Sequence, residues 1–307
     1  MRLVFAGTPE PAVPSLRRLA ASGHDVIAVV TRRDAPLGRK RVLTPSPVAA
    51  AAEEVGIEVI RTDRLDDATT DRIAGMQPDL GVIVAYGGLV RDPLLSTPRH
   101  GWINLHFSLL PRWRGAAPVQ HALIAGDRRT GASVFQLVPE LDAGAVFAEL
   151  AVDIPPDATA GELLSTLAVD GAGLLADVVD AIATGTADAR PQDGEATYAS
   201  KLGDDDGRIR WDEPADAVLG RIRGVTPEPG AHTTVDGARL KLLTVRRAPA
   251  DAPALAPGTL ALHAKELLVG TATTPVILEA VQPAGKAPMR ATDWWRGLRG
   301  ISPVAGS

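Results

Sequence analysis

Along the first half of the chain, short apolar runs rich in β-branched residues alternate with stretches of helical period. The runs RLVFAG (2–7), DVIAVVT (25–31), EVIRT (58–62), LGVIVAYG (80–87) and GWINLHFS (101–108) read as strands. Between them lie helix-like segments such as VPSLRRLAAS and PVAAAAEEVG. This alternation predicts right-handed crossovers and a Rossmann-like α/β domain built on a largely parallel sheet. Two further apolar runs, GASVFQLV and AVFAELAVDI, follow a helix expected over residues 115–125, with Pro118 tolerated in its first turn. Thr159 and Glu162 then stand at capping-box spacing before a long helical period that runs to about Ala183.

Periodicity lapses after that helix, and Asp, Gly and Pro accumulate. The expected division is therefore a first domain over 1–187, a linker over 188–207 and a second domain over 208–307. The second part opens with a short helix, about Ala215 to Arg223. Next comes HTTVDGARLKLLTV, two runs joined at Asp236-Gly237 in the manner of a tight hairpin. With the short strands of GTLALHAKELLVGTATTPVILEAVQ, this predicts a small β-domain of barrel or sandwich type.

Composition narrows the function classes. The 307 residues contain no cysteine, so disulfides, thiolate nucleophiles and Cys-ligated zinc are excluded. The longest apolar stretch, GVIVAYGGLV, is too short for a membrane span. Pro9, Pro11 and Pro14 break up the opening residues, which do not read as a signal peptide, so a cytoplasmic location is expected. The net charge of −5 is unevenly spread. Thirteen Lys and Arg face nine Asp and Glu from Arg208 onward (+4), and nineteen face twenty-eight before it (−9). A basic tail thus sits behind an acidic body.

In NLHFSLLPRWRGAAPVQ, Asn104, His106 and Ser108 fall on one face of the last parallel run, opposite Ile103, Leu105 and Phe107. A central parallel strand is normally apolar on both faces, and open α/β sheets bind ligands beyond the carboxyl ends of their strands. The polar line is therefore either a cleft wall or a set of buried polar groups satisfied by backbone, and the pattern alone leaves both open. Ser108 lacks the G-x-S-x-G surroundings of a hydrolase nucleophile. No histidine spacing suits a metal and no G-x-G-x-x-G is present, which disfavours a metal site and a dinucleotide cofactor. Asp142, in PELDAGAV, is either a turn-forming Asx residue or a carboxylate partner for the imidazole. An amide donor, an imidazole and a carboxylate together suit acyl or formyl transfer to an amine.

The central segment resembles the N-x-H-x-S-L-L-P-x-x-R-G signature of the 10-formyltetrahydrofolate-dependent formyltransferases, and LDAG resembles their aspartate loop. Similarity to the members that act on tRNA runs nearly end to end, through MRLVFAGTPEPAVPSL, GRKRVLTPSPV, VIVAYG, GDRRTGASVFQL, DGRIRW, IRGVTPEPGAHT and QPAGKAPM. The resemblance implies a Rossmann-like catalytic domain followed by an OB-like β-barrel that binds tRNA. It also implies transfer of a formyl group from 10-formyltetrahydrofolate to the amino group of initiator methionyl-tRNA. On matching positions, Asn104 would polarise the formyl oxygen, His106 would assist and relay the proton, and Asp142 would orient His106. Ser108, Leu109, Leu110 and Pro111 would line the folate pocket. Phe107, where many relatives carry a small residue, departs from the pattern and is expected to pack on the opposite face.

The same resemblance directs the basic run RRDAPLGRKR (32–41), expected as a mobile loop, to the tRNA acceptor arm through Arg39, Lys40 and Arg41. Arg239, Lys241, Arg246, Arg247, Lys286 and Arg290 would grip the phosphate backbone, and Arg112 and Arg114 are left without a role. An acceptor such as an amino sugar nucleotide or glycinamide ribonucleotide is the alternative, and it requires neither the basic insertion nor the basic β-domain. A non-catalytic RNA-binding protein would not require Asn104, His106 and Asp142 together.

Overall fold

The structure, a computed structural model, describes residues 1–38, 40–298 and 304–306. It comprises two compact units. One is formed by Met1–Pro118, Arg129–Asp153 and Leu164–Ala199, the other by Val119–Arg128, Ile154–Leu163 and Ser200–Ser307.

The chain begins β1 (Arg2–Gly7), α1 (Val13–Ala20), β2 (Asp25–Thr31), β3 (Ala35–Leu37), β4 (Val42–Thr44), α2 (Pro47–Glu54) and β5 (Val59–Arg61). It continues through α3 (Asp67–Gly75), β6 (Leu80–Val84), β7 (Trp102–His106), β8 (Arg114–Gly115), α4 (Pro118–Ile124) and β9 (Arg129–Gln136). Strand β10 (Val146–Asp153), the long α5 (Ala160–Thr184) and β11 (Tyr198–Ala199) follow.

Seven of these strands form one sheet in the order β10-β9-β7-β6-β1-β2-β5. The five from β7 to β5 are mutually parallel, as the strand-helix alternation predicts. Strands β9 and β10 join antiparallel and make the sheet mixed. Helix α2 starts where Ser46 accepts a hydrogen bond from the Ala49 N–H at 3.0 Å, with Pro47 in the first turn, both standard start signals. The predicted capping box is present: the Thr159 N–H donates to Glu162 Oε2 at 2.9 Å, and the Glu162 N–H donates back to Thr159 Oγ1 at 3.3 Å.

Trp102 opens β7 as one of the largest fully buried side chains, and its indole N–H donates to the Leu94 carbonyl at 2.8 Å. Its ring fills the space over Gly81 on the neighbouring strand. A Cβ at Gly81 would lie 2.1 Å from the ring. Gly81→Ala therefore overpacks the strand next to the polar face and is expected to lower stability by about 1–3 kcal/mol or more. Thermal melting checks this, and an unchanged Tm would show that the indole can shift.

Within the run 32–41, expected as a loop, residues Ala35–Leu37 form a strand. Strands β3 and β4 pair antiparallel as a small hairpin, with Leu37 opposite Val42. Leu37, Val42 and Leu43 on this hairpin are exposed (66%, 59% and 69%), beside the exposed Lys40 and Arg41. Arg39 lies outside the described residues.

The second unit contains α6 (Ala215–Gly224), β12 (His232–Val235), β13 (Ala238–Arg247), β14 (Leu260–His263), β15 (Glu266–Val269), β16 (Val276–Pro283), β17 (Met289–Arg290) and α7 (Ala291–Arg296). Its antiparallel sheet runs β12-β13-β16-β15-β14, with β17 added to β16. Asp236 and Gly237 both have positive φ (49° and 73°) between β12 and β13, the geometry a two-residue Asp-Gly turn demands. A core including Ile209, Trp211, Val218, Ile222, Leu242 and Val281 lies under this sheet.

The barrel expected for this unit is not confirmed: among the described residues no ladder closes the sheet. Val235 and Thr259 instead make single bridges to Ala305 and Val304. Register shifts along β13, between Leu242 and Val245, curl the strand, and the hydrophobic pattern alone does not reveal whether such curvature ends in closure.

Candidate active site

Strand β7 carries Asn104 and His106 towards its carboxyl end, between β6 and β9. The antiparallel register places Asn104 opposite Phe135 and His106 opposite Ser133, so these four side chains share one face. Phe135 is fully buried, and its ring meets the His106 imidazole edge-on at 6.4 Å between centroids. Asn104 is half-buried, and among the described residues nothing hydrogen-bonds its carboxamide. A polar side chain held on a sheet face with its donors unused is available to a ligand. Phe107, on the opposite face, is buried as expected.

His106 is buried (6% exposed) and its Nε2 lies 2.8 Å from the Trp113 carbonyl oxygen. A carbonyl only accepts, so in the neutral ring Nε2 carries the proton and Nδ1 holds the lone pair. Nδ1 faces Asp142 Oδ2 at 3.8 Å, a charge contact longer than a hydrogen bond. Burial lowers the His106 pKa below the usual histidine value. The Asp142 carboxylate and the bond to Trp113 oppose that shift without reversing it. The structure thus brings His106 and Asp142 together, with the neutral imidazole favoured and a carboxylate ready to balance its charged form.

Asp142 is itself buried and adopts a left-handed backbone, φ 46°. Its Oδ2 accepts the Gly115 N–H at 2.7 Å. Gly115 has φ 122°, and a Cβ there would meet the Ala199 carbonyl oxygen at 2.6 Å, which explains why the signature ends on glycine.

Ser108 is fully buried and its hydroxyl donates to the Arg112 carbonyl at 2.6 Å, so it closes the turn 108–112. That commitment, with His106 bonded elsewhere, removes the serine-nucleophile reading. Ser133 clasps the same turn: it donates to the Ser108 carbonyl at 2.7 Å and accepts the Leu110 N–H at 3.2 Å. Leu109 packs against Gly131 on β9. Pro111 is buried, and Leu110 lines a cleft of about 720 Å³ together with Phe147, Glu149, Asp177, Arg190 and Gln192.

Sequence reasoning assigned no role to Trp113, Ser133 or Gln192. They act through backbone groups or on backbone partners, and no motif spacing records that. Arg112 stacks over the Trp113 ring at 5.0 Å, and Arg114 donates to Gln192 Oε1 at 2.5 and 3.1 Å. In the second unit Arg239 pairs with Asp204 at 2.8 Å, Arg246 with Glu266 and Glu279, and Arg247 with Asp216. Lys241, Lys286 and Arg290 are exposed and form no ion pair among the described residues. No helix among the described residues is long and apolar enough to cross a membrane.

The fold and this site define a class. Residues 1–179 match the formyl transferase family and residues 201–299 match the formyl transferase C-terminal domain. The chain is 64% identical over 300 residues to methionyl-tRNA formyltransferase of Clavibacter sepedonicus, covering 97% of each chain. It is 59% identical over 304 residues to that of Arthrobacter sp., covering 99% of each. The chain therefore belongs to the methionyl-tRNA formyltransferase family.

Solved structures share the fold at low identity. A sugar 3N-formyl transferase, WlaRD, superposes with a TM-score of 0.70 at 14% identity, over 94% of this chain and 99% of that one. HypX from Aquifex aeolicus in complex with tetrahydrofolic acid gives 0.62 at 17%, over 98% and 48%. Methionyl-tRNA formyltransferase from Clostridium thermocellum gives 0.57 at 15%, over 81% and 94%.

Proposed function

We propose that this chain transfers the formyl group of 10-formyltetrahydrofolate to the α-amino group of methionine on initiator tRNA, releasing tetrahydrofolate. The observation that carries the chemistry is the Asn104 carboxamide, free of hydrogen-bond partners among the described residues, beside a neutral, carboxylate-backed imidazole at the end of a central strand. The acceptor is read from family membership at high identity over the full chain.

The amine attacks the formyl carbon, the carbonyl oxygen takes up negative charge, and the bond to the folate nitrogen breaks. Asn104 donates an N–H to that oxygen. His106 takes the proton leaving the amine at Nδ1, where Asp142 balances the new charge, and returns it to the departing nitrogen. An α-amine has a pKa near ~8, so a useful fraction is already neutral and a modest base suffices. Positioning and the oxyanion donor supply most of the rate.

Leu109, Leu110 and Pro111 form the apolar wall of the folate pocket in this reading, with Ser108 holding their turn. The folate-bound HypX structure of the same fold supports a formyl-folate co-substrate. Residues 1–187 make the catalytic domain, joined by 188–207 to the tRNA-holding residues 208–307. The curled antiparallel sheet of the latter supports an OB-like assignment. Arg39, Lys40 and Arg41 contact the acceptor arm in this reading, Lys40 and Arg41 from the β3–β4 hairpin, whose exposed Leu37, Val42 and Leu43 suit contact with nucleobases. Of the six basic residues expected to grip phosphate, Lys241, Lys286 and Arg290 have the least to give up, because acidic neighbours already hold Arg239, Arg246 and Arg247.

The test is incubation with 10-formyltetrahydrofolate and charged initiator tRNA, followed by analysis of the aminoacyl group. Formylmethionine is the expected product. Formylation of an amino sugar nucleotide with none of the aminoacyl-tRNA modified would overturn the acceptor assignment.

A further inference from the structure

The imidazole of His106 has two protein contacts on its nitrogens, the Trp113 carbonyl and the Asp142 carboxylate, and both come from residues in left-handed backbone conformations (φ 61° and 46°). Non-glycine residues adopt that region at a cost and keep it only where tertiary contacts hold them. One side chain ties the two segments together. Gln192 donates one N–H to the Asp142 carbonyl at 2.7 Å and the other to the Gly144 carbonyl at 2.9 Å. Its oxygen accepts both bonds from Arg114, between Trp113 and Gly115. Two donors and two acceptor sites complete the hydrogen-bonding capacity of a carboxamide.

The surrounding segment reinforces this link. The Thr197 hydroxyl accepts the Trp113 N–H at 2.9 Å, the Thr197 carbonyl accepts the Arg114 N–H at 2.8 Å, and β11 pairs with β8. Residues 190–199 thus lie as a strap along the segment that presents the Trp113 carbonyl.

We infer that Gln192 is a positioning residue for formyl transfer, clamping the Asp142 loop to the Trp113–Gly115 segment so that His106 meets both of its partners. This rests on the functional reading above. It also gives Arg114 a task, as the group that orients the Gln192 carboxamide so that both of its hydrogens face the loop. A carboxamide is required for this. Leucine leaves two carbonyls without donors, and a glutamate keeps the Arg114 contact but turns an anion towards those carbonyls.

Steady-state kinetics of the full chain with 10-formyltetrahydrofolate and charged initiator tRNA test the inference. In Gln192→Leu, kcat is expected to fall about ten- to a hundred-fold with KM for the folate little changed, the size of effect that a small misplacement of a catalytic group produces. The acid limb of kcat/KM should also move to lower pH, because Asp142, the titratable side chain in contact with His106, no longer offsets the effect of burial. Adding Gln192→Leu to Asp142→Asn should cost much less than it does alone, since both act through one contact. Gln192→Glu serves if the leucine variant does not fold, and should lose kcat in the same way.

Wild-type kcat with an unmoved acid limb in a folded Gln192 variant would overturn the inference, as would losses that add fully across the double-mutant cycle. If the wild-type chain formylates no aminoacyl-tRNA, the functional reading fails instead, and the two failures are told apart.

Discussion

Asn104→Ala is expected to lower kcat about a hundred- to a thousand-fold while leaving binding of folate and tRNA, and the melting temperature, nearly unchanged. The size follows from the oxyanion. A formyl oxygen that gains a full charge in the tetrahedral intermediate is poorly stabilised without a fixed donor, whereas the ground-state carbonyl is little affected. The loss should therefore appear in kcat rather than KM. The small effect on stability follows from the structure: the side chain is half-buried and its carboxamide makes no hydrogen bond among the described residues, so alanine leaves no protein group without a partner. Asn104→Asp, nearly the same shape, should be at least as damaging, because an anion replaces the donor that faces the developing charge. Single-turnover rates with both substrates bound, together with equilibrium binding of each, measure the two sides of this claim. Turnover of Asn104→Ala within a few-fold of wild type would remove the residue from the reaction.

Much of the candidate site's polar face was legible in the sequence because it is written in period-two alternation on one strand. Asn104 and His106 sit at alternate positions, the pleat gives them one face, and the register against Phe135 and Ser133 keeps it. The Asp236-Gly237 turn and the Thr159–Glu162 box were legible for a similar reason, since local chemistry fixes local backbone.

What escaped is carried by contacts between distant backbone groups. Gln192 holds carbonyls about fifty residues away, and residues 190–199 meet Arg114 and Ala117 through main-chain hydrogen bonds that leave no trace in side-chain pattern. To composition they read as ordinary polar connection. The β3–β4 hairpin escaped because three-residue strands are too short to show a period. Asp142 was visible as a residue but not as a geometry: its left-handed backbone and its bond to the Gly115 N–H depend on the close approach that only a glycine at 115 permits.

His106 carries the second large effect. With Nε2–H committed to the Trp113 carbonyl, the proposed mechanism makes Nδ1 the base and gives Asp142 the task of stabilising the proton once it arrives. His106→Gln retains an N–H for that carbonyl and removes the titrating group, so its loss of about a hundred- to ten-thousand-fold in kcat/KM would report general-base work rather than collapse of the turn.

The pH profile separates the groups involved. In the wild type kcat/KM should fall as the amine is protonated, near ~8, and steepen again below the ordinary histidine range of about 6.5 as His106 gains its proton, because burial places that step low. The direction is fixed by the chemistry: protonated His106 cannot accept the amine proton, so the acidic side is the inactive one. In His106→Gln the steeper limb should vanish and the amine limb persist. In Asp142→Asn the steeper limb should move further towards acid, since the neighbouring charge that raises the His106 pKa is gone. A steep limb that survives in His106→Gln, or one that moves towards alkali in Asp142→Asn, would assign the proton transfer to another group and leave His106 as a scaffold for Trp113.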